Sequence, residues 1–457
     1  MQSDVRVVKA EPWFTEVKAR TPLKFGAVVM DAVTYCEVKV TVETQGGAVA
    51  DGWGGIFLAD FWAFPSALVP HEARERAMRE ITTRFCQAVT WHGGYAHPVD
   101  LFHETEQELR AITDGVSRRL NFAEPMPYLG ALVCASPVDA ALHDAFGIAN
   151  EIGTYDGYGR EFMPYDLGRY LGEAYQGRYI ADFIRKQYAP QLPIFHLVGG
   201  LDKLRRSEKD DSDPQDGLPV SLDEWVERDS LICLKVKLRG TDLEWDVQRT
   251  IEVAKIGREV QARQGKDELY LSADTNEQCD SPDYVIEMLQ RIREQDPRTF
   301  DQILYIEQPT ERDLSARRFD MRPLAKIKPV LVDESLTGLK DFELAMELGW
   351  SGIALKSCKC QSAELVLASK AEAEGVPYAI QDLTNPALAL IHSVGMAARL
   401  NPIKGVEANS RQFFPAASER ERRVHPDIFT LRQGMVSTLS LQGYGLGYRM
   451  EEMGPRF

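Results

Sequence analysis

"LICLKVKLRG", residues 231–240, is the stretch whose reading decides the fold. Side chains alternate along a strand. Ile232, Leu234, Val236 and Leu238 therefore share one face, wholly apolar. Leu231, Cys233, Lys235 and Lys237 share the other, which ends in two ammonium groups. In a parallel β/α barrel, one strand face packs on helices and the other turns inward, with functional groups at the C-terminal strand ends. On that reading Lys235 and Lys237 end the inward face of a barrel strand.

The neighbouring segments repeat the pattern. Eight short apolar stretches run from "PIFHLVGG" (193–200) to "GVEAN" (405–409), with amphipathic helical stretches between most of them. Strands alternating with helices predict parallel β/α units, and eight of them make a closed barrel the first choice. An open doubly wound sheet is the alternative, but no glycine-rich phosphate loop follows the first strand. Leu269, Leu271 and Ala273 would face helices on the third strand, turning Asp274 inward. On the fourth, Leu304 and Ile306 would face out and Glu307 in. Val330 and Val332 place Asp333 inward on the fifth; Ile353 and Leu355 do the same for Lys356 on the sixth. Gln381 is the inward candidate on the seventh strand and Glu407 on the eighth.

A single strand-end carboxylate is ordinarily a helix cap or half of an ion pair. Three on consecutive strands repel one another unless protonated or bound to a cation. Oxygen donors without nearby His or Cys favour Mg²⁺ or a similar hard ion. In a ring of eight, the second and sixth strands are opposite, so Lys237 and Lys356 would face each other across the mouth. A lysine must fall from its usual ~10.4 to act as a base near neutrality. Lys235, two residues from Lys237, would supply charge to lower it.

The remainder frames this site. The net charge of −16, from 53 basic and 69 acidic residues, argues against nucleic acid, which needs a basic surface. No uninterrupted apolar run approaches the ~20 residues of a membrane span. Seven cysteines without CxxC spacing suggest reduced thiols in a cytoplasmic setting. The N-terminal part reads as a separate α+β domain, with two strands around Gly46-Gly47 and two amphipathic helices. The predicted layout is an N-terminal capping region with connecting helices over 1–192, the barrel over 193–409, and a tail over 410–457 that completes the cap. The polar tract 201–221 reads as a solvated loop on the rim of the mouth.

In order, "KVK", "SADTN", "YIEQP", "VDES", "ALKSCK" and "GVEAN" resemble the enolase superfamily, in its muconate-lactonising-enzyme-like branch. "SPVDAALHDAFG" (136–147) is similar to the family's helix ahead of the barrel. The resemblance implies a modified TIM-type barrel under a cap. It implies one Mg²⁺ held by Asp274, Glu307 and Asp333, with Lys237 and Lys356 as the acid/base pair and Lys235 as the first lysine of KxK. The implied chemistry removes the proton α to the carboxylate of a small substrate, giving a metal-stabilised enolate. Racemisation or epimerisation, dehydration or cycloisomerisation would follow. Glu407, Asn276, Gln381 and Trp53 are the candidate substrate contacts. The mandelate-racemase-like branch would have Asp on strand six and His on strand seven; this chain has Lys356 and no His there. Dipeptide epimerases show DxD on strand eight, where this chain has "VEAN". Two cap loops, expected within 10–26 and 52–65, would carry substrate choice as a water-excluding lid; alternatively their aromatics are core. A homo-oligomer is expected. The competing readings are a Schiff-base aldolase using Lys356 and an inactive metal-binding barrel.

Overall fold

The computed structural model describes residues 1–25 and 28–454. A three-stranded antiparallel sheet opens the chain: β1 (Val5–Phe25), β2 (Val28–Thr44) and β3 (Val49–Phe57), in that order. The stretch expected as a loop at 10–26 is therefore strand as far as Phe25. It pairs with β2 from Val5↔Thr44 out to Phe25↔Val28, with an irregularity between Lys18 and Leu23. Gly26 lies outside the described residues.

Residues 52–57, the first part of the stretch 52–65 within which the second cap loop is expected, are strand. Here "GWGG" solves a packing problem. Helices α1 (Asp60–Ala63), α2 (His71–His92), α3 (Pro98–Arg119) and α4 (Tyr128–Ala149) follow, and α4 lies against β3. A Cβ on Gly52 would stand 2.1 Å from the Ala145 nitrogen, and one on Gly54 2.1 Å from the Pro137 carbonyl oxygen. Only glycine lets a strand and a helix backbone approach so closely. Helix α4 is long and apolar enough to cross a membrane by length and composition; here it is the buried centre of the cap.

Eight parallel strands form the barrel: β4 (Gln191–Val198), β5 (Cys233–Lys237), β6 (Tyr270–Asp274), β7 (Ile303–Glu307), β8 (Val330–Val332), β9 (Gly352–Lys356), β10 (Tyr378–Gln381) and β11 (Val406–Glu407). Each pairs with the next, and β11 closes on β4 through Val406↔Ile194 and Glu407↔Phe195. This closure excludes the open sheet. The outward residues Leu234, Val236, Leu271, Ala273, Ile306, Val330, Val332, Ile353, Leu355 and Val406 join one apolar core with the helices. Phe195, Cys233, Tyr305, Leu331 and Ala379 plug the interior. Leu304 departs from its expected outward place and packs against that interior plug. The register between β6 and β7 skips it, running Leu271↔Ile303 and then Ser272↔Tyr305. Such an irregularity resets the alternation for one residue.

The tail divides its contacts rather than serving the cap alone. A strand, β12 (Met435–Ser437), pairs antiparallel with β4 at the start of the barrel. Further on, the Leu446 N–H donates to Asp144 of α4 at 2.7 Å, and the Trp53 N–H of β3 donates to the same carboxyl at 2.9 Å. Burial pushes the Asp144 carboxyl up to about 7, although both donors oppose the shift. Helix α4 also grips the barrel. Asp139 accepts from the Ser362 N–H and hydroxyl at 3.0 and 2.6 Å, on the helix that follows Lys356. All seven cysteines are free and buried.

Because the glycines set the spacing of β3 and α4, Gly54→Ala is expected to destabilise the protein by at least the ~1–3 kcal/mol of an overpacked core. Chemical denaturation measures it. Gly47→Ala, whose Cβ meets nothing within 4 Å but whose φ is +90°, should cost less, as it is limited to backbone strain.

Candidate active site

Seven buried ionic groups meet at the C-terminal ends of the barrel strands. Lys237, the most open of them, is 7% exposed; Asp274, Glu307 and Asp333 are fully buried. The Lys235 Nζ lies 2.9 Å from both Glu307 oxygens, 2.9 Å from Glu407 Oε2 and 3.1 Å from Asp274 Oδ2. Lys237 donates to the same Asp274 oxygen and, at 2.9 Å, to Asn276 Oδ1. On the other side the Lys356 Nζ is 2.8 Å from Asp333 Oδ2. Along strands β5 to β9 the groups are thus Lys235 and Lys237, then Asp274, Glu307, Asp333 and Lys356, with the Lys235 ammonium reaching across to Asp274 and Glu307.

Burial would lower the Lys235 ammonium, but Glu307, Glu407 and Asp274 more than offset it and raise it well above its usual value. Lys356 behaves alike: burial lowers it, Asp333 raises it, and the net shift is upward. Burial favours neutral Asp274 and Asp333, yet Lys237 and Lys235 hold the first below the usual carboxylate range, and Lys356 and Lys359 the second. Glu307 goes the other way. Burial, then the Asp274 charge, push it well up, against Lys235. Lys235, expected to supply positive charge beside Lys237, is itself held by three carboxylates.

The other sequence candidates separate. Gln381 donates to Glu307 Oε2 at 2.5 Å, and Glu407 is steadied by Asn409 at 2.8 Å. Asn276 has φ +45°, a conformation asparagine tolerates; its N–H caps Asp274 Oδ1 at 2.7 Å. Trp53 is elsewhere. It stacks on Trp13 within the cap sheet at 5.8 Å, its ring 5.7 Å from the Lys39 ammonium. The aromatic at the site is Trp62, nine residues on. Its indole N–H donates to Glu334 Oε1 at 3.0 Å, and its ring lies 5.0 Å from the Lys356 Nζ.

Several groups at the site went unread in the sequence. Glu334 follows Asp333, accepts from Asn276 at 3.2 Å, and is pushed up to about 7 by burial, then by Asp333. Gln308 Oε1 accepts from the Asp333 N–H at 2.8 Å, locking the ends of β7 and β8 together. Lys359 donates to the Asp333 carbonyl at 2.7 Å and its carboxylate at 3.2 Å. Asp382, after Gln381, is pushed up to about 8 by burial, then by Glu407. The spacing of Lys359 from Lys356 and the side-by-side acids in "VDES" were the available signals.

A barrel whose strand ends carry a carboxylate arc between two lysines defines a class of proton-transfer enzymes. The family profile described as Enolase C-terminal domain-like matches residues 220–453, just over half of the chain. The protein belongs to this family: it is an enolase-superfamily enzyme of the mandelate racemase and muconate lactonising group. Among solved structures it is similar to the dipeptide epimerase from Enterococcus faecalis V583 complexed with Mg and the dipeptide L-Leu-L-Tyr. That match has 17% identity, TM-score 0.58, and covers 97% of this chain and 99% of that one. The 2-chloromuconate cycloisomerase from Rhodococcus opacus 1CP matches at 15% identity and TM-score 0.59, over 98% of each chain. The N-succinyl Arg/Lys racemase from Bacillus cereus ATCC 14579 matches at 16% and 0.56, over 97% of this chain and 95% of that one. At these identities the likeness is one of fold. No curated protein matches the sequence.

Removing the hub ammonium tests the charge balance. Lys235→Met leaves Glu307, Glu407 and Asp274 buried around an apolar side chain. Breaking a buried ion pair from one side costs about 3–5 kcal/mol, so a fall in unfolding free energy of that size is expected in urea. A fall under ~1 kcal/mol would mean that the carboxylates are neutralised without Lys235.

Proposed function

We propose that this enzyme removes and returns the proton α to the carboxylate of a small acid, as a racemase or epimerase dependent on Mg²⁺. One observation carries the reading. Lys237 and Lys356, on the second and sixth of eight strands, each grip an end of the same carboxylate arc, Asp274 and Asp333. A substrate centred on that arc has one lysine on each side of its α-carbon.

The donor set fits a hard divalent cation in its chemistry. Asp274, Glu307 and Asp333 offer only oxygen, come from consecutive strands and are fully buried, and their hydrogen-bond and ion-pair partners among the described residues are Lys, Asn and Gln side chains and main-chain N–H groups, with no His or Cys. Among the described residues no three such side chains are already gathered around a common centre; the ammonium groups of Lys235, Lys237 and Lys356 hold those oxygens. These three carboxylates would hold the ion, which when bound stabilises the charge that builds on the substrate carboxylate.

The chain does the rest. One lysine, as free amine, takes the α-proton; the electron pair left on carbon delocalises into the carboxylate. The opposite lysine, as ammonium, gives a proton to the other face, which inverts the centre. Asp333 supplies the attraction that raises Lys356, so committing Asp333 to a cation frees Lys356 to act as a base. Dehydration and cycloisomerisation share the first half of this sequence and need only one of the two lysines as the base.

The test is α-proton exchange in D₂O, followed by NMR, on a substrate found by screening acid-sugar and amino-acid derivatives with Mg²⁺. Lys237→Ala should keep exchange of one stereoisomer and Lys356→Ala of the other, each losing the opposite exchange by ~10²–10⁴-fold. Wild-type exchange of both isomers in both variants would refute the two-base reading. Loss confined to one lysine would indicate a dehydratase or cycloisomerase.

Calorimetry tests the ion. Asp274→Asn, Glu307→Gln and Asp333→Asn should each weaken Mg²⁺ binding while the fold survives. Unchanged affinity in all three would remove the assignment.

A further inference from the structure

Lys356 has few partners for a buried ammonium. Its Nζ meets Asp333 Oδ2 at 2.8 Å and the face of Trp62 at 5.0 Å from the ring centre. A lysine ends in a flexible four-carbon stem, and proton transfer needs the reacting atoms near 3–3.5 Å. Asp333 cannot be the only aim for this ammonium if that carboxylate also serves a cation. The indole face offers a second hold that no cation competes for.

Trp62 is itself fixed from three directions. Its indole N–H donates to Glu334 at 3.0 Å. Its carbonyl accepts from Arg312 at 3.1 Å, and Arg312 is clamped on Glu277, three residues past the barrel strand β6. The turn that carries it is tied back to the cap, where Asp60 accepts from Arg74 at 2.7 Å and Arg74 donates to the Ser66 and Val69 carbonyls at 2.6 and 2.8 Å. Trp62 is 4% exposed. A ring so held is a fixed surface, and it belongs to the cap, whereas Lys356 belongs to the barrel.

We infer that Trp62 is a positioning residue: its ring face holds the Lys356 ammonium on the barrel axis, so the cap completes one of the two acid/base groups. This rests on the reading of Lys356 as an acid/base, and it adds that this lysine takes a hold from the cap through Trp62.

Reductive methylation of the folded protein in the presence of Mg²⁺, quantified for each lysine by peptide mass spectrometry, tests the contact without a substrate. Wild type, Trp62→Phe and Trp62→Leu are compared. Phenylalanine keeps a ring face and loses the bond to Glu334; leucine keeps bulk without a ring. Lys356 in Trp62→Leu should react roughly 2- to 30-fold faster than in wild type. Trp62→Phe should stay near wild type, and Lys359 should be unchanged throughout. An unchanged Lys356 in Trp62→Leu, or an equal rise in both variants, overturns the proposal. Should Trp62→Leu fail to unfold cooperatively, Trp62→Met serves as the ring-free variant. With a turned-over substrate, Trp62→Leu should slow exchange through Lys356 more than through Lys237. Equal slowing of both also overturns it. Absence of any exchange in wild type would remove the acid/base reading, while the labelling order still judges Trp62 by itself.

Discussion

Lys235 is bonded to Glu307 and Glu407 and paired with Asp274, and much of the barrel follows from keeping that ammonium surrounded. Isolated charges cannot be buried so deeply; each needs a partner within a few ångströms. The partners come from strands β6, β7 and β11, so Lys235 joins distant parts of the ring at one atom. Gln381 from β10 and Asn409 beyond β11 then satisfy the carboxylates that Lys235 leaves half-bonded. Asn409 reaches further and accepts from the Leu197 N–H at 2.9 Å, across the seam where the barrel closes. The polar mouth and the closure of the sheet are thus one network.

The same balance explains how the site can serve chemistry. Four carboxylates and three lysines around the mouth nearly cancel while they hold one another. On the reading proposed above, a divalent cation entering the arc would compete for the oxygens that now raise Lys356 and Lys235. Gln308 holds the Asp333 main chain and the Asn276 N–H holds the Asp274 carboxylate, so these donors are fixed from the main-chain side.

What could be read from the sequence was what alternation controls. Cys233, Lys235 and Lys237 on one face, and Leu234 and Val236 on the other, follow from a period of two. So do Asp274, Glu307, Asp333 and Lys356. Alternation failed at Leu304, where an irregular register shifts a residue without any mark in composition. In the cap the loops expected within 10–26 and 52–65 came from the resemblance rather than from alternation. "EPWFTEVKARTPLKF" lies in β1, paired along β2. "GWGG" lies in β3, where the backbone of α4 comes within 2.1 Å of a virtual Cβ. Contacts made across long separations, such as Trp62 with Glu334 and Asp139 with Ser362, leave no local pattern to find.

Access to so closed a site depends on which tie between cap and barrel gives way. Near Trp62 the indole bond to Glu334 is buried, while Arg312, which holds Glu277 and the Trp62 carbonyl, is 20% exposed. Close by, the Phe57 N–H donates to the fully buried Asn385 at 3.1 Å. At the far end of the cap sheet, Arg20 of β1 binds Asp216 at 2.6 and 2.9 Å, and the Leu218 and Pro219 carbonyls at 3.1 Å, all on the tract that follows β4. There the Asp216 side chain is 41% exposed but that of Arg20 only 7%. Leaving a buried partner unpaired costs several times the ~0–1 kcal/mol that an ion pair open to water contributes, and Arg20 has four acceptor atoms to lose. Both ends of the cap are therefore tied to the barrel side by a buried group, the Trp62 indole at one and the Arg20 guanidinium at the other.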